Sequence, residues 1–270
     1  IEQAQALLFE HYGLQGQLHS LGSQQDLNFR VESAQHRWVL KFCHDDAAPQ
    51  ALAAQHEAMR HLACHGLAVP QALAALDGRD TLAVHLGQQR LQMRVLSYLD
   101  GQPLTRLKHL GPVAIARIGQ LCGEVDRALL DFQHPGLART LQWDPRHAHK
   151  LLDHLLPALG DPGQRGRVVE MAFQAQRRLG AVSADLPLQA VHLDITDDNS
   201  VWQRDADLRW QLAGLIDFGD LVHTWRVADL AATCAALLHH GHGDPFAVLP
   251  AVAAYHRVNP LEQAELRALW

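Results

Sequence analysis

Residues 192–199 read His-Leu-Asp-Ile-Thr-Asp-Asp-Asn, and residues 216–220 read Ile-Asp-Phe-Gly-Asp. These two motifs place an aspartate two residues after a histidine, an asparagine five residues later, and a second aspartate after an apolar approach strand. Phosphoryl transfer uses these residue types at this spacing. The two motifs therefore predict a phosphoryl-transfer site built from two loops that follow short strands.

Each motif offers side chains with a predicted role. A transferred phosphate brings several negative oxygens together, so its site needs a divalent cation with oxygen ligands and a carboxylate that orients the attacking hydroxyl. Asp194 is the candidate catalytic base, and Asn199 and Asp217 are the candidate ligands of Mg²⁺. His192 belongs to the same candidate catalytic loop, and we expect it to anchor that loop through hydrogen bonds rather than to react.

Turn formation is the alternative explanation of the first motif. Asp-Asp-Asn runs are common in turns, because short polar side chains bond to nearby backbone. For Asp197 and Asp198 the turn and the functional interpretation both stay open. For Asp194, Asn199 and Asp217 as a set we favour the functional interpretation, since each lies where a predicted strand ends and a loop begins.

With these motifs, the chain resembles the aminoglycoside phosphotransferase and choline kinase-like family nearly from end to end. The resemblance implies an α+β, protein-kinase-like bilobal fold, with a small antiparallel sheet lobe and a larger, mainly helical lobe. Residues 25–29 and 222–230 are most similar to hydroxylysine kinase-like domains, some of which are fused to class III, pyridoxal-phosphate-dependent aminotransferases. Further segments that carry the resemblance are Trp38-Val39-Leu40-Lys41-Phe42, Glu57, residues 94–101 and Ala228-Asp229-Leu230-Ala231.

The sequence of the amino-terminal part predicts a strand hairpin and a helix that would form one side of the nucleotide site. Apolar residues alternate with period two from 29 to 31 and from 38 to 42, which predicts an antiparallel hairpin with Lys41 on the opposite face. Residues 49–65 predict a helix that carries Glu57, sixteen residues after Lys41. We expect Glu57 to pair with Lys41 and hold it toward the nucleotide phosphates. A solvent-exposed position is the alternative for both residues.

The remaining nucleotide contacts are expected at a turn and at the connection between the lobes. Ser23 and Gln24 lie in a polar turn with one glycine, Gly22, and their backbone amides are candidates for phosphate contacts. An ordinary polar hairpin turn is the alternative. The resemblance places Leu96 and Tyr98, at the connection, beside the nucleotide, which is ATP or GTP.

The predicted organisation has three parts. Residues 1–96 form a β-rich nucleotide-binding lobe, in which 81–86 and 90–97 are a second strand pair; 97–101 form a hinge; and 102–270 form a helical lobe with the catalytic and metal loops. Asn259-Pro260-Leu261-Glu262 predicts a helix start, with Asn259 as its cap. Since no stop signal follows before Trp270, we expect the chain to be cut from a longer one, with a fused aminotransferase as one expected partner in the parent protein.

Composition excludes several classes of protein. The 270 residues are 48% hydrophobic and 19% charged, as in an ordinary globular protein, and the formal net charge of −6 provides no basic surface for nucleic acid. No apolar run has the length of a membrane span, and no charged-then-apolar leader is present. The four cysteines are scattered, as expected for reduced thiols of a cytoplasmic protein.

Histidine is abundant, with 19 residues, so false metal sites must be considered. His56 and His61 are five residues apart, about 140° around a helix, whereas a zinc-protease helix needs a spacing of four. We therefore reject a zinc-protease site. His61 and His65 do have a spacing of four, and His239-His240-Gly241-His242 is a histidine cluster, but neither segment contains a carboxylate, and we attribute both to compositional bias.

The acceptor is predicted from charge alone. Asp197, Asp198 and Asp220 lie near the motifs in sequence and favour a substrate with ammonium groups. Trp225 and Arg226 are open to two roles, substrate contact or helix packing. Together with this charge, the family resemblance implies a small-molecule kinase that phosphorylates a hydroxyl of an amino-bearing metabolite, such as hydroxylysine, an amino alcohol or an aminoglycoside.

Two other functions remain open from the sequence. A catalytically silent kinase-like module would regulate an attached or partner enzyme, but it has no need of every catalytic group. A protein kinase is disfavoured, because the chain has no glycine-rich loop and no Ala-Pro-Glu after Asp217.

Overall fold

The computed structural model describes residues 1–22, 26–44, 49–106 and 109–269. Its helices are α1 (Glu2–Tyr12), α2 (Pro49–Cys64), α3 (Pro112–Ala128), α4 (Ala148–Leu155), α5 (Pro162–Gly180), α6 (Val227–Leu237), α7 (Leu249–Val258) and α8 (Gln263–Ala268). Its strands are β1 (Gln17–Leu21), β2 (Leu27–Glu32), β3 (Arg37–His44), β4 (Ala72–Leu73), β5 (Leu82–Leu86), β6 (Gln89–Ser97), β7 (Gln102–Pro103), β8 (Leu188–Val191), β9 (Ser200–Arg204), β10 (Trp210–Leu215) and β11 (Val222–Trp225). The α+β class predicted from the sequence is confirmed.

An antiparallel sheet forms the amino-terminal part, in the order β1-β2-β3-β6-β4, with β5 also paired to β6. The predicted hairpin is β2 and β3, in which Phe29 lies opposite Leu40 and Val31 opposite Trp38. The second predicted strand pair is β5 and β6. Both hairpins are confirmed, because period-two alternation is a local signal that marks which side of each strand is buried.

The two faces of this sheet have different partners. Leu40 and Phe42 pack with Met93 and Val95 in a cluster that α1 covers with Leu8. Side chains of a strand alternate between faces, so Lys41 and its cross-strand partner Arg94 lie on the other face, toward the helical part. The predicted orientation of Lys41 is confirmed.

The helical part is built around α3 and α7, which cross at backbone contact. A Cβ atom on Gly119 of α3 would lie 2.2 Å from the Ala251 carbonyl oxygen of α7, and one on Gly123 would lie 3.1 Å from that of Tyr255. Only glycine permits so close an approach. Around this crossing lies the large apolar core, which includes Ile118, Val125 and Leu230.

Two small antiparallel sheets, one of two strands (β8 and β11) and one of three (β7, β9 and β10), position the motif loops. Strand β8 pairs with β11 and ends directly before His192, and β10 pairs with β9 and ends two residues before Asp217. The Leu215 amide donates to the Ala68 carbonyl at 3.0 Å, which attaches β10 to the segment after α2. The short strands predicted from the sequence are therefore present and place both loops side by side.

The carboxyl-terminal helix begins later than predicted. Asn259 terminates α7, its amide donating to the Tyr255 carbonyl at 2.8 Å, and α8 starts at Gln263. Glu262 is its N-cap and forms a capping box with Glu265. The predicted helix start at Asn259 is wrong, because Asn259 accepts a hydrogen bond from Arg226 instead of capping a helix.

The division at 97–101 stays a prediction. Ser97 ends β6, yet one apolar core contains Met59 and Leu96 from the sheet side together with Leu104 and Ile118. No helix in the described ranges is long and apolar enough to cross a bilayer.

Candidate active site

The loop after β8 is closed by a hydrogen-bond pair between its two predicted functional residues. The Asn199 side-chain amide nitrogen donates to the Asp194 carboxylate at 2.5 Å and to the Asp194 carbonyl at 3.0 Å. This arrangement uses the nitrogen end of the amide and leaves the Asn199 oxygen for another partner. The structure therefore brings the candidate base and a candidate metal ligand together.

Asp229, on α6, accepts hydrogen bonds from two backbone amides of this loop. One carboxylate oxygen accepts from the His192 amide and the other from the Leu193 amide, both at 3.0 Å. Leu193 has a φ of 65°, a left-handed conformation that a leucine adopts only where its surroundings fix it. The sequence analysis quoted Asp229 only as part of a resemblance, and the one local signal of its role was a carboxylate within an apolar helix.

A second buried carboxyl group adjoins Asp229. Burial and the charge of Asp229 raise the pKa of Asp126 well above its usual range, and the Tyr255 hydroxyl donates to it at 2.6 Å. Burial raises the pKa of Asp229 to about 6, opposed by hydrogen bonds from Asp126 and from the two loop amides. Asp126 is therefore the protonated member of the pair, and Asp229 carries the charge that the amides stabilise.

We expect Asp229→Ala to lower the free energy of unfolding more than most surface changes would. It leaves two buried amides without acceptors, at a cost of about 1–3 kcal/mol for each. Urea denaturation measures the effect, with Asp207→Ala as control, since Asp207 is exposed and lies at a turn. The control is expected within about 0.5 kcal/mol of wild type. Equal stability of the two variants would contradict the role of Asp229.

Asp194 and His192 have shifted acidities. Burial and the charge of Asp220 raise the pKa of Asp194 to about 7, although the hydrogen bond from Asn199 opposes the shift. Burial lowers the pKa of His192 to about 4, so its ring is neutral near pH 7. Its Nδ1 accepts from the Asp194 amide at 3.3 Å and its ring lies edge-on to Phe218 at 4.7 Å. These contacts fix the loop and leave Asp194 as the group that titrates near neutral pH.

Lys41 pairs with two carboxylates. Its Nζ lies 3.6 Å from Asp217 and 3.8 Å from Asp26. Burial raises the pKa of Asp217, but the charge of Lys41 and a hydrogen bond from the Gly219 amide outweigh it, and the net pKa is lowered. Asp217 is thus ionised next to the strand lysine.

The predicted ion pair of Lys41 with Glu57 is wrong. Glu57 is exposed, and its Oε1 lies 3.8 Å from His134 Nε2. Helix α2 instead turns Gln55 and Met59 toward the cleft. Glu57 is two residues from each of them, about 200° around the helix, and therefore points away from Lys41.

A cavity of about 780 Å³ lies between the sheet and the motif loops. Five of the predicted site residues line it: Lys41, Leu96, Tyr98, Asn199 and Asp217. The predicted phosphate-contacting residues Ser23 and Gln24 lie outside the described residues. The cavity is of a size that accommodates a nucleotide-sized ligand.

The donor set on this cavity fits a divalent cation. Asn199 offers an amide oxygen and Asp217 an ionised carboxylate, which are the hard ligands of a cation that keeps other positions for water and phosphate oxygens. A second set lies nearby, because Asp197 is 3.0 Å from His240 and 3.8 Å from His239. Sequence analysis found no carboxylate beside these histidines, since the fold brings Asp197 to them from the catalytic loop.

The alternatives for Arg226 are resolved by its contacts. Its guanidinium is buried, donates to Glu265 at 2.8 Å and bonds to Asn259 at 3.2 Å. Of the two roles left open by the sequence, these contacts support packing and not substrate contact, because the hydrogen-bonding groups of Arg226 are used within the core. Trp225 is half-buried and packs against the same apolar core.

Comparison with known proteins identifies the family to which the chain belongs. A family model described as the phosphotransferase enzyme family matches residues 17–268. Hydroxylysine kinase of Bos taurus is 27% identical over 187 residues, which cover 66% of this chain and 49% of that protein. The chain thus spans about half the length of this relative.

Two solved structures share the fold. A microcompartment-associated aminopropanol kinase superposes with a TM-score of 0.79 at 17% identity, over 97% of this chain and 82% of that one. An amicoumacin kinase in complex with AMP-PNP and Ca²⁺ has a TM-score of 0.71 at 17% identity, over 98% and 80% of the two chains. The match over nearly the whole length and the kinase-like fold around the paired motifs lead to one conclusion: the chain belongs to the phosphotransferase enzyme family.

Proposed function

We propose that this protein is a small-molecule kinase that transfers the γ-phosphate of ATP or GTP to a hydroxyl of an amino-bearing metabolite. The observation that carries the proposal is the hydrogen bond of Asp194 to Asn199, next to the cavity that Lys41 and Asp217 line. A carboxylate that titrates near pH 7 and a cluster of oxygen ligands are what this reaction requires.

Each site residue has a distinct part in the proposed reaction. Asp194 accepts the proton of the attacking hydroxyl, and neutral His192 keeps the loop in place. Lys41 steadies the phosphates from the sheet side. Asn199 and Asp217 are the residues that would hold Mg²⁺, and the cation would supply positive charge for the phosphate oxygens. The amicoumacin kinase crystallised with a nucleotide analogue and a divalent cation supports this assignment.

The nucleotide lies, in this proposal, against the wall formed by β3 and β6. Leu96 and Tyr98 line that wall where β6 leaves the sheet and contact the base. Tyr98 has the Arg37 guanidinium 5.4 Å from its ring centre, which fixes the ring. The proposal also assigns phosphate contacts to the backbone amides of Ser23 and Gln24, which lie outside the described residues.

Charge near the reaction centre supports an ammonium-bearing acceptor. Asp220 lies close enough to Asp194 to raise its pKa, and the exposed Asp198 lines the cavity. The Arg139 guanidinium donates to the Gly219 carbonyl and partly balances Asp220. A zwitterionic hydroxy amino acid or an amino alcohol suits this mixed charge, and the similarity to hydroxylysine and aminopropanol kinases supports the same class.

We expect a panel of hydroxy amino acids, amino alcohols and aminoglycosides to contain at least one acceptor. Mg²⁺-dependent release of ADP or GDP measures turnover, because each transfer frees one nucleoside diphosphate. Acceptors without an amino group are the matched controls and should react more slowly. Nucleotide binding without turnover on any acceptor would favour the regulatory module instead.

The proposal also includes the location of the protein and its fusion to a second enzyme domain. A cytoplasmic location is supported by the four free cysteines, which fit a reducing compartment. A fused aminotransferase in the parent protein is supported only by the resemblance of residues 25–29 and 222–230 to hydroxylysine kinase-like domains. Sequencing the parent gene tests the second inference, and an uninterrupted kinase-only reading frame would contradict it.

A further inference from the structure

The cleft wall contains a second buried cation beside Lys41. In the sheet register Lys41 lies opposite Arg94 of β6, so both side chains leave the same face and line the same cavity. Arg94 is only 3% exposed. A guanidinium this deeply buried remains charged, because its pKa is too high for deprotonation in a protein.

The two side chains that contact the Arg94 guanidinium at hydrogen-bond distance are neutral. Its Nη1 donates to the Gln55 side-chain oxygen at 2.7 Å and lies 3.3 Å from His56 Nε2. Burial, together with the charge of Arg94, lowers the pKa of His56 to about 4, so this ring brings no charge near pH 7. The Nε of Arg94 is buried and has no hydrogen-bond partner.

Lys41 and Arg94 therefore differ in whether a carboxylate neutralises their charge. Lys41 is close to two carboxylates, whereas Arg94 forms no salt bridge with any carboxylate in the described ranges 1–22, 26–44, 49–106 and 109–269. A buried charge without a partner is strongly unfavourable, and such groups are normally paired. Asp217 lies on the same cavity and Arg94 helps to lower its pKa, but the two form no salt bridge, so an anion bound in the cavity would be the direct partner that Arg94 lacks.

Resting on the proposed function, we infer that Arg94 is a second phosphate-binding cation of the nucleotide site, oriented by Gln55 of α2. The guanidinium offers to the polyphosphate the terminal N–H groups that Gln55 does not use, and its planar fork suits phosphate oxygens. Gln55 holds Arg94 from the helix that was expected to hold Lys41 through Glu57. The helix thus contributes to phosphate binding through a glutamine–arginine contact.

A purely structural role is the competing explanation, in which Arg94 only ties α2 to the sheet. The two explanations predict opposite effects of Arg94→Met on the free protein. If Arg94 serves the phosphates, removing an uncompensated buried charge leaves the ligand-free protein at least as stable. If Arg94 is a structural tie, the variant melts at a lower temperature.

The test measures binding by calorimetry with three probes: a non-hydrolysable ATP analogue with Mg²⁺, inorganic tripolyphosphate, and adenosine. Arg94→Met should weaken binding of the analogue and of tripolyphosphate by about 10- to 100-fold, the loss typical of a charge-assisted hydrogen bond, and leave adenosine unchanged. Arg94→Lys should recover part of the loss. Arg79→Met is the matched control, because Arg79 is exposed and its guanidinium pairs with Asp77 on the surface.

The outcomes separate this inference from the proposed function. Tripolyphosphate binding by Arg94→Met within twofold of wild type would overturn the role of Arg94, as would lower thermal stability together with loss of adenosine binding. Loss of phosphate binding in a protein that phosphorylates no acceptor would support Arg94 and overturn the kinase proposal. Absence of binding by the wild type to all three probes would overturn both.

Discussion

Asp194→Asn is expected to reduce kcat by about 10²- to 10⁴-fold, the usual contribution of a positioned general base. The amide keeps the size of the carboxylate and the contact with Asn199, but it cannot accept the proton of the attacking hydroxyl. Nucleotide affinity should change little, since Asp194 is not among the residues that line the cavity. Steady-state diphosphate release gives kcat, and calorimetry with a non-hydrolysable analogue gives the affinity.

The pH profile provides the control for Asp194→Asn. The pKa of Asp194 is raised to about 7, and only its deprotonated form accepts a proton, so wild-type kcat/KM should rise with pH through about 7 and then level off. The residual rate of the variant should lack this rise. A variant with full activity, or with an unchanged pH profile, would remove Asp194 from the role of base.

Asp217→Asn is expected to have the next largest effect, about 10²- to 10³-fold in kcat, in the range found for removal of a group that stabilises transition-state charge. The substitution removes the negative charge that pairs with Lys41 and, in the proposal, binds the cation. The half-saturating Mg²⁺ concentration should rise as well. Initial rates over a range of Mg²⁺ concentrations at saturating nucleotide measure both changes.

Asp198→Asn is the matched control for Asp217→Asn. Asp198 lines the same cavity and is also acidic, but it is exposed and no role in binding the cation is assigned to it. We expect its half-saturating Mg²⁺ concentration to stay within about twofold of wild type, since an exposed charge is screened. If both variants require the same Mg²⁺ concentration as wild type, Asp217 is not a metal ligand.

Much of the fold and of the site follows from local sequence. Period-two alternation predicted the β2–β3 hairpin and the face to which Lys41 belongs, because the apolar residues of a strand show which of its faces is buried. The motifs at 192–199 and 216–220 predicted two loops after strands, and both loops line or adjoin one cavity. In each case the signal and the structure involve neighbours in the chain.

The incorrect or missing predictions concern contacts between distant segments. Glu57 was expected to face Lys41, but the rotation of α2 is set by the packing of its apolar residues against the core, which turns Gln55 to the cleft. Asp229 holds amides 36 and 37 residues earlier in the chain, and no spacing rule connects them. Asn259 has the composition of a helix cap, yet its bond to Arg226 depends on tertiary contact.

The backbone contact between α3 and α7 has a consequence for sequence variation. Asp126 follows Gly123 on α3, Tyr255 belongs to α7, and the hydrogen bond between them borders the carboxylate that holds the catalytic loop. Even one extra methyl group at Gly119 would push the two helices apart and displace the buried hydrogen bond between Tyr255 and Asp126. Gly119 lies outside the candidate active site, yet we expect it to tolerate as few substitutions as the site residues do. Natural variants should be rarer at Gly119 than on the neighbouring turns of α3.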